Sequence, residues 1–520
     1  MGIYFNPMND RFAKALRSEI YVDKTGLISY LNSVIQTQQE YVCISRPRRF
    51  GKSMAASMLA AYYSRGCSSG EMFRDLKIAE DHFFNKHLNA YNVIFINVQD
   101  FLSEASDIDD MIVLMQSDIS EELIGEYPQL SGRRFIKLLN DIYNISGIPF
   151  IFIIDEWDCI FRVYQKDKTA QIKYLDFLRL ILKDKAYVGL AYMTGILPIK
   201  KYGTHSALNM FNEFSMIEPY QMAQYTGFTE DEVQSLCKRY PLEYTELAAW
   251  YDGYRFNGTP AVYNPNSIIS ALLNKSYNNY WNQTETYEAL KIYIELNFDG
   301  LNDAILQLLA GGRLVIDISG FTNDMVTFSS SDDVLTLLIH LGYLGYDAKT
   351  REVFIPNKEI TSEFVTAIRG MGWNEIIKTV NSSNDLLHAT WRGDNEAVAG
   401  FIEAAHLNTS ILTYNNENAL SYTVSLAYFS AREFYSIVRE MPAGKGFADL
   451  VFIPRVNHKD KPAMVVELKW DQSASSAIRQ IEEKQYVDAL KDYSGNILLI
   501  GINYDKETKK HDCVIRNSHK

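Results

Sequence analysis

No stretch of this chain approaches the ~20 consecutive apolar residues that a membrane-crossing helix needs. The longest unbroken apolar run is the seven residues from Ile148 to Ile154. The opening residues, MGIYFNPMNDRFAKAL, contain no basic region leading into an apolar stretch, so no signal peptide is expected. Met1-Gly2 is also a poor lipidation signal, because Asn6 stands where a hydroxyl residue belongs. Cysteine is scarce: Cys43, Cys67, Cys159, Cys237 and Cys513 are odd in number and far apart. That spacing excludes a metal knuckle and a disulfide framework, and the five read as reduced thiols of a cytoplasmic protein. Internal repeats, low-complexity tracts and long linkers are missing too. The chain also lacks a basic excess. Its net charge of −13 argues against indiscriminate coating of nucleic acid. The charge is uneven, however: residues 441–520 carry 13 Lys and Arg against 11 Asp and Glu, so the first 440 carry −15. A local nucleic-acid site near the C-terminal end stays open.

A chain of 520 residues exceeds one hydrophobic core, and two to four domains are expected. Short apolar runs at 41–45 (YVCIS), 93–98 (VIFINV), 150–154 (FIFII) and 188–194 (VGLAYMT) suit buried strands. Helical patterns such as 52–63 and 172–184 separate them. Alternation of this kind predicts a mostly parallel sheet covered on both faces, ending near Met216. Residues 217–378 change character: helices at 229–238, 285–296 and 333–342, then two short strands, 343–348 and 352–356, around the turn Lys349-Thr350-Arg351. A helix followed by a β-hairpin resembles a winged-helix lid. From 379 onward come helices, strands 447–453, 463–468 and 496–502, and a helix near 474–490. The small polar residues of 379–385 (TVNSSND) mark an expected protease-sensitive junction.

The loop 45–53, SRPRRFGKS, follows the first strand and opens the helix 52–63, the context that a phosphate-binding loop requires. Unpaired N–H groups and the helix dipole favour an anion there. Lys52 can reach the β- and γ-phosphates of ATP, Ser53 is placed to bind Mg²⁺, and Gly51 lets the backbone come close. The loop residues Arg46, Pro47, Arg48, Arg49, Phe50 and Met54 complete the candidate nucleotide site. Arg46 occupies the usual first glycine position, so taken alone the loop also fits a chance turn before a helix. The run FIFII-Asp155-Glu156 weighs against that. A fully apolar strand ends in two carboxylates where α/β sheets bind ligands. Asp155 would hold the Mg²⁺ shell and Glu156 would polarise the attacking water. Thr194 ends the next strand and admits two readings: a γ-phosphate sensor, or a threonine satisfying the backbone. Arg46, Arg48 and Arg49 suit phosphate or a neighbouring subunit, and equally a solvated loop. Lys200 and His205 follow in the next loop without an assigned role.

With these motifs in place, the segments YVDKT (21–25), RPRRFGKS, IIDEWD, TGILPIKKYGTHSALNMF (194–211), YDGYRF and VYNPNSI resemble the bacterial AAA-ATPase-like proteins over about residues 1–340. Those proteins carry Arg at the first glycine position. The resemblance implies signal-transducing ATPase behaviour rather than an unfolding motor, and it implies that YVDKT borders the nucleotide base.

Near the C-terminus, Asp449 lies in the run 447–451, and Val465-Val466-Glu467-Leu468-Lys469 follows on a second strand. Alternation puts Glu467 and Lys469 on one face, within reach of Asp449 on a neighbouring strand. The carboxylates would hold Mg²⁺ or Mn²⁺ and the lysine would present a water to a phosphodiester. Spacing alone also suits an ordinary alternating surface strand, yet the charges interrupt apolar sequence, which is costly in a core. Residues 380–505 resemble the PD-(D/E)XK nuclease superfamily, including Glu417 on the helix 416–429, Gly446 to Asp449, Val466 to Lys469, and Gln480, Lys484 and Tyr486.

The expected architecture is α/β: an ATPase core at 1–216 with a P-loop parallel sheet, a helical and winged-helix-like lid at 217–378, and a restriction-endonuclease-like domain at 379–520. The expected activity is Mg²⁺-dependent ATP hydrolysis gating a metal-dependent nuclease. The rival is a regulatory ATP switch whose nuclease fold only docks nucleic acid or a protein. A threading motor fits poorly with the acidic ATPase half. The expected partners are ATP and nucleic acid, without a membrane, and room is left for a homo-oligomer.

Overall fold

The computed structural model describes residues 2–199, 208–255, 261–281, 286–323, 325–369, 373–408, 417–443, 446–490 and 495–518; Lys200 and His205 lie outside them. The chain forms two compact units. One comprises residues 1–281 and 315–360, the other 282–314 and 361–520.

The first unit is built on a five-stranded sheet: β1 (Tyr41–Ser45), β2 (Asn92–Asn97), β3 (Phe150–Asp155), β4 (Val188–Gly195) and β5 (Asn212–Phe214). Their order is β2-β3-β4-β1-β5, and every neighbouring pair is parallel. All residues of β1, β3 and β4 are buried, which is why these segments read as unbroken apolar runs. The helix Lys52–Tyr63 leaves β1 through a tight loop and packs its Ala, Met, Leu and Tyr side chains into the core. β1 and β3 pair on either side of β4, so Ile44 and Asp155 both stand opposite Thr194. The ends of three strands therefore meet at one level. β5 is short and escaped the sequence reading, because NEF carries no periodic signal of its own.

The same unit takes in helices from the following region. Glu230–Cys237 starts with a capping box between Thr229 and Glu232. Ser331–Leu341 ends at Gly342, and the antiparallel strands Gly345–Asp347 and Glu352–Phe354 follow it as the expected hairpin. Buried Glu359 accepts bonds from the Ser267 hydroxyl (2.9 Å) and from the N–H groups of Tyr280 (2.8 Å) and Trp281 (2.9 Å), which satisfy its charge. The unit boundaries do not follow 216 and 378. The helices Thr286–Glu295 and Leu301–Leu309 belong to the second unit, whereas 217–281 and 315–360 pack with the parallel sheet.

The second unit holds a mixed sheet of β6 (Tyr435–Ala443), β7 (Gly446–Pro454), β8 (Ala463–Trp470), β9 (Ile497–Asp505) and β10 (Lys510–Asn517), in that order. Only β8 and β9 are parallel. One apolar layer joins Leu450, Phe452, Val466 and Ile500 to the helices Asn374–Arg392, Asn395–Asn408 and Glu417–Ala427. The other joins Val451, Val465 and Leu499 to Ile478 and Ile481 of the helix Ala474–Glu483. The junction expected at 379–385 is corrected: those residues lie in the middle of one continuous helix, Asn374–Arg392. Thr379 and Ser383 face inward there, and the Ser383 hydroxyl accepts the N–H of Ser430 at 2.9 Å. Small polar residues here serve helix packing, not a linker. No helix of the described residues is long and apolar enough to cross a membrane. All five cysteines are free thiols.

Candidate functional site

At the end of β1 the chain turns through Arg46 to Gly51. Arg49 (φ +66°) and Gly51 (φ +88°) both adopt left-handed backbone, and Gly51 caps the helix Lys52–Tyr63. A Cβ at Gly51 would meet nothing within 4 Å, so glycine is required there by backbone conformation and not by crowding. Lys52 is buried, and its ammonium donates to the Pro47 carbonyl at 2.9 Å, which folds the loop back on itself. Burial lowers the Lys52 pKa, opposed by Glu156, Asp158 and Asp155. Across from it, burial raises the Asp155 pKa, opposed mainly by a hydrogen bond from Ser53.

Glu156 follows with φ +54°, a conformation uncommon for a residue with a side chain. Its N–H donates to Asp155 Oδ1 at 3.0 Å and its carboxylate pairs with Arg162. Ser53 and Met54 are exposed at the helix start, Pro47 and Phe50 are buried, and Arg48 and Arg49 are half-buried. The structure thus gathers Lys52, Ser53, Asp155 and Glu156 at one end of the parallel strands.

Two residues take other places. Arg46 is not part of a solvated loop. It is fully buried, and Nη1 donates to the carbonyls of Ser45 (2.8 Å), Phe214 (2.9 Å) and Ser215 (2.9 Å). It fastens the end of β1 to the end of β5, and burial lowers its pKa to about 9. The Thr194 hydroxyl makes a backbone bond, donating to the Ile44 carbonyl at 3.0 Å. The sequence reading missed Asp158 and Arg162. The signal for them was present, an acid and a base four residues apart directly after the paired carboxylates.

Beside the loop lies a mostly apolar cavity walled by Tyr21, Val22, Phe50, Met54, Phe228 and Ile269. Asp23 of the same segment is held by bonds to the N–H groups of Thr25 (2.8 Å) and Lys77 (2.7 Å), which fix the wall. Tyr21, Val22 and Lys24 of YVDKT therefore border this cavity.

In the second unit, Glu467 lies on β8, buried, and accepts from Lys469 Nζ at 3.2 Å and from the Gln480 amide. Gln480 also meets the Tyr486 hydroxyl at 3.2 Å. Asp449 on β7 accepts the Leu468 N–H at 2.7 Å. The β6–β7 ladder lapses at Glu440, where φ is +46°, directly across from Asp449. A Cβ at Gly446 would lie 3.0 Å from the Tyr486 hydroxyl, a tight approach that glycine relieves. Asp449, Glu467, Lys469, Gln480 and Tyr486 thus form one cluster. Glu417 begins the helix Glu417–Ala427, and its side chain lies outside the described residues. Two carboxylates on adjacent strands with a lysine suit a hard divalent cation and its water.

Residues 10–204 match the family model described as predicted AAA-ATPase, and residues 416–513 match that of the PD-(D/E)XK nuclease superfamily. An uncharacterized protein from the vnfD 5′ region of Azotobacter chroococcum mcd 1 is 23% identical over 505 residues, 94% of this chain and 93% of that protein. Among solved structures, the ORC2 protein of Aeropyrum pernix, with ADPNP and ADP, aligns with a TM-score of 0.32 at 11% identity, over 69% of this chain and 98% of that one. Cdc6p of Pyrobaculum aerophilum aligns at 0.25 and 10%, over 70% and 98%. Likeness at this level carries no argument.

Proposed function

We propose, from these two family matches and the geometry of the loop after β1, that the chain binds and hydrolyses Mg²⁺-ATP and uses it to gate a metal-dependent nuclease. The observation that carries the first half is the meeting of Lys52, Ser53, Asp155 and Glu156 at the strand ends. In this reading Lys52 exchanges the Pro47 carbonyl for a phosphate oxygen, and the first N–H groups of the helix Lys52–Tyr63 cradle the triphosphate. The base enters the cavity lined by Tyr21, Phe50 and Met54. Ser53 and Asp155 would hold Mg²⁺, which offsets charge on the β- and γ-phosphates. Glu156 orients and deprotonates the attacking water. Lys52→Ala should weaken ATP binding and abolish turnover, whereas Glu156→Gln should bind ATP and lose turnover; wild-type turnover in Glu156→Gln would remove it as the base.

In the second unit, Asp449 and Glu467 would hold Mg²⁺ or Mn²⁺, and Lys469 would present water to a phosphodiester. Purified protein with either metal should nick or degrade nucleic acid, and Asp449→Ala and Lys469→Ala should each stop this while sparing ATP hydrolysis. The rival, a nuclease fold that only docks nucleic acid or protein, draws support from one feature. Both carboxylates already have protein partners, Leu468 N–H for Asp449 and Lys469 with Gln480 for Glu467. Absence of cleavage of DNA and RNA, with and without ATP, decides for the rival.

A further inference from the structure

We propose that Arg162 is a positioning residue for ATP hydrolysis: it fixes the Glu156 carboxylate and ties it to the segment that follows β4. The inference rests on the ATP-hydrolysis reading and adds a residue to it.

Three consecutive residues and Arg162, four positions further on, build the arrangement. Glu156 leaves β3 with φ +54°, which turns the chain sharply. Trp157 next to it is fully buried, and its N–H donates to the Thr194 carbonyl, so the turn is anchored on β4. Asp158, also fully buried, precedes the short helix Cys159–Val163. That helix brings Arg162 back over the turn, where its guanidinium contacts Glu156 through Nη2 and lies 3.6 Å from Asp158 Oδ2 through Nε. The Arg162 side chain is only 14% exposed, so this is an enclosed pair and not a surface bridge.

Asp158 extends the chain of contacts. Its Oδ2 also accepts the Leu197 N–H at 2.9 Å, two residues beyond β4. The Leu197 carbonyl in turn accepts the Ser45 hydroxyl at 3.0 Å, at the start of the phosphate loop. A Cβ on Gly195 would lie 2.4 Å from Asp158 Oδ1, so glycine is needed to let the carboxylate in. The linked series is Ser45, Leu197, Asp158, Arg162, Glu156. It runs from the loop that would grip phosphate to the carboxylate that would move the proton. A planar fork can bind two carboxylates in fixed geometry, which an ammonium cannot. Placement of a catalytic carboxylate matters because a 1 Å error costs about 100-fold in rate.

Steady-state ATP turnover, nucleotide affinity and thermal midpoint of the full chain test this with Arg162→Ala, Arg162→Gln, Arg162→Lys, Glu156→Gln and the Glu156→Gln/Arg162→Ala pair. Arg162→Ala is expected to lower kcat by about 30-fold or more with affinity for ATP within threefold, consistent with a misplaced base. Arg162→Lys should recover only part of the rate. In the Glu156→Gln background, adding Arg162→Ala should leave both the residual rate and the ATP affinity unchanged, because the two residues act as one unit. Four results overturn the proposal: wild-type kcat in Arg162→Ala, a raised kcat, affinity lost in step with kcat, or further loss in the Glu156→Gln background. Should Arg162→Ala not fold, Arg162→Gln, which keeps a shorter polar side chain and loses the charge, carries the same expectations. Wild-type protein without ATP turnover would instead sink the hydrolysis reading itself, and this inference with it.

Discussion

Arg46 stands where a phosphate loop ordinarily has glycine, and its burial makes a sharp prediction. Replacing it with alanine removes a guanidinium nitrogen shared among the carbonyls of Ser45, Phe214 and Ser215. One NH₂ group has two protons, so three acceptors amount to about two full hydrogen bonds. Each bond from a charged donor contributes about 1.5–3 kcal/mol. Relief of the cation's own burial cost offsets part of this, leaving an expected net loss of about 2–4 kcal/mol. The loss falls on the junction of β1 and β5. Urea unfolding followed by fluorescence should show the transition of the first unit at lower denaturant, with an unchanged slope. Arg46→Lys should recover less than half, since lysine lacks the fork. Fluorescent ATP analogue, titrated well below the shifted transition, should bind Arg46→Ala within a few-fold of wild type. Wild-type stability together with a tenfold or greater loss of ATP affinity would refute the reasoning and return Arg46 to the phosphates.

Gly51→Ala should destabilise the loop and weaken ATP binding through backbone strain alone, since no atom crowds the site; a wild-type affinity measured by titration would contradict this. Burial lowers the pKa of His511 to about 3 and of His406 to about 4, and the two rings pack with centroids 5.1 Å apart. An unfolded histidine titrates near 6.5. Below that pH the unfolded chain takes up protons that the folded chain refuses, so stability of the second unit should fall from about pH 6.5 down to about 4. Thermal midpoints measured across that range should drop, and His511→Leu should flatten the slope. Limited proteolysis should spare 379–385, since cleavage needs backbone that this helix does not release; a primary cut there would show that the helix frays.

The strands of the parallel sheet were readable because burial on both faces leaves no polar positions. YVCIS and KSMAASMLAAYY coincide with β1 and its following helix to the residue. The strands β6 and β10 were not readable. YSIVREMPA and KHDCVIRN have mostly half-exposed or exposed positions, so their pattern resembles loops. The expected helix 474–490 stops at Glu483, because Gln485 takes φ +56° and a short 3-10 turn, Tyr486–Leu490, follows. The region 217–378 reads as one part from its helical content. Which helices pack with which sheet depends on contacts between residues distant in sequence, and composition does not encode those.

At the candidate sites, the legible residues were those whose chemistry conflicts with their neighbours. Asp155 after five apolar residues, and Glu467 and Lys469 within an apolar strand, would be costly to bury without a task, and each proved to be buried. Arg46 shows the opposite case. A charged residue in a loop reads as solvated or ligand-seeking, yet open carbonyls at two strand ends had to be met by some donor, and only the assembled sheet reveals them. Arg162 escaped for a related reason: its meaning depends on the turn at Glu156, where a left-handed residue and a five-residue helix reverse the chain. Positions that conflict locally can be found from sequence alone. Positions that satisfy someone else's conflict need the fold, and the charged groups around Glu156 are of this second kind.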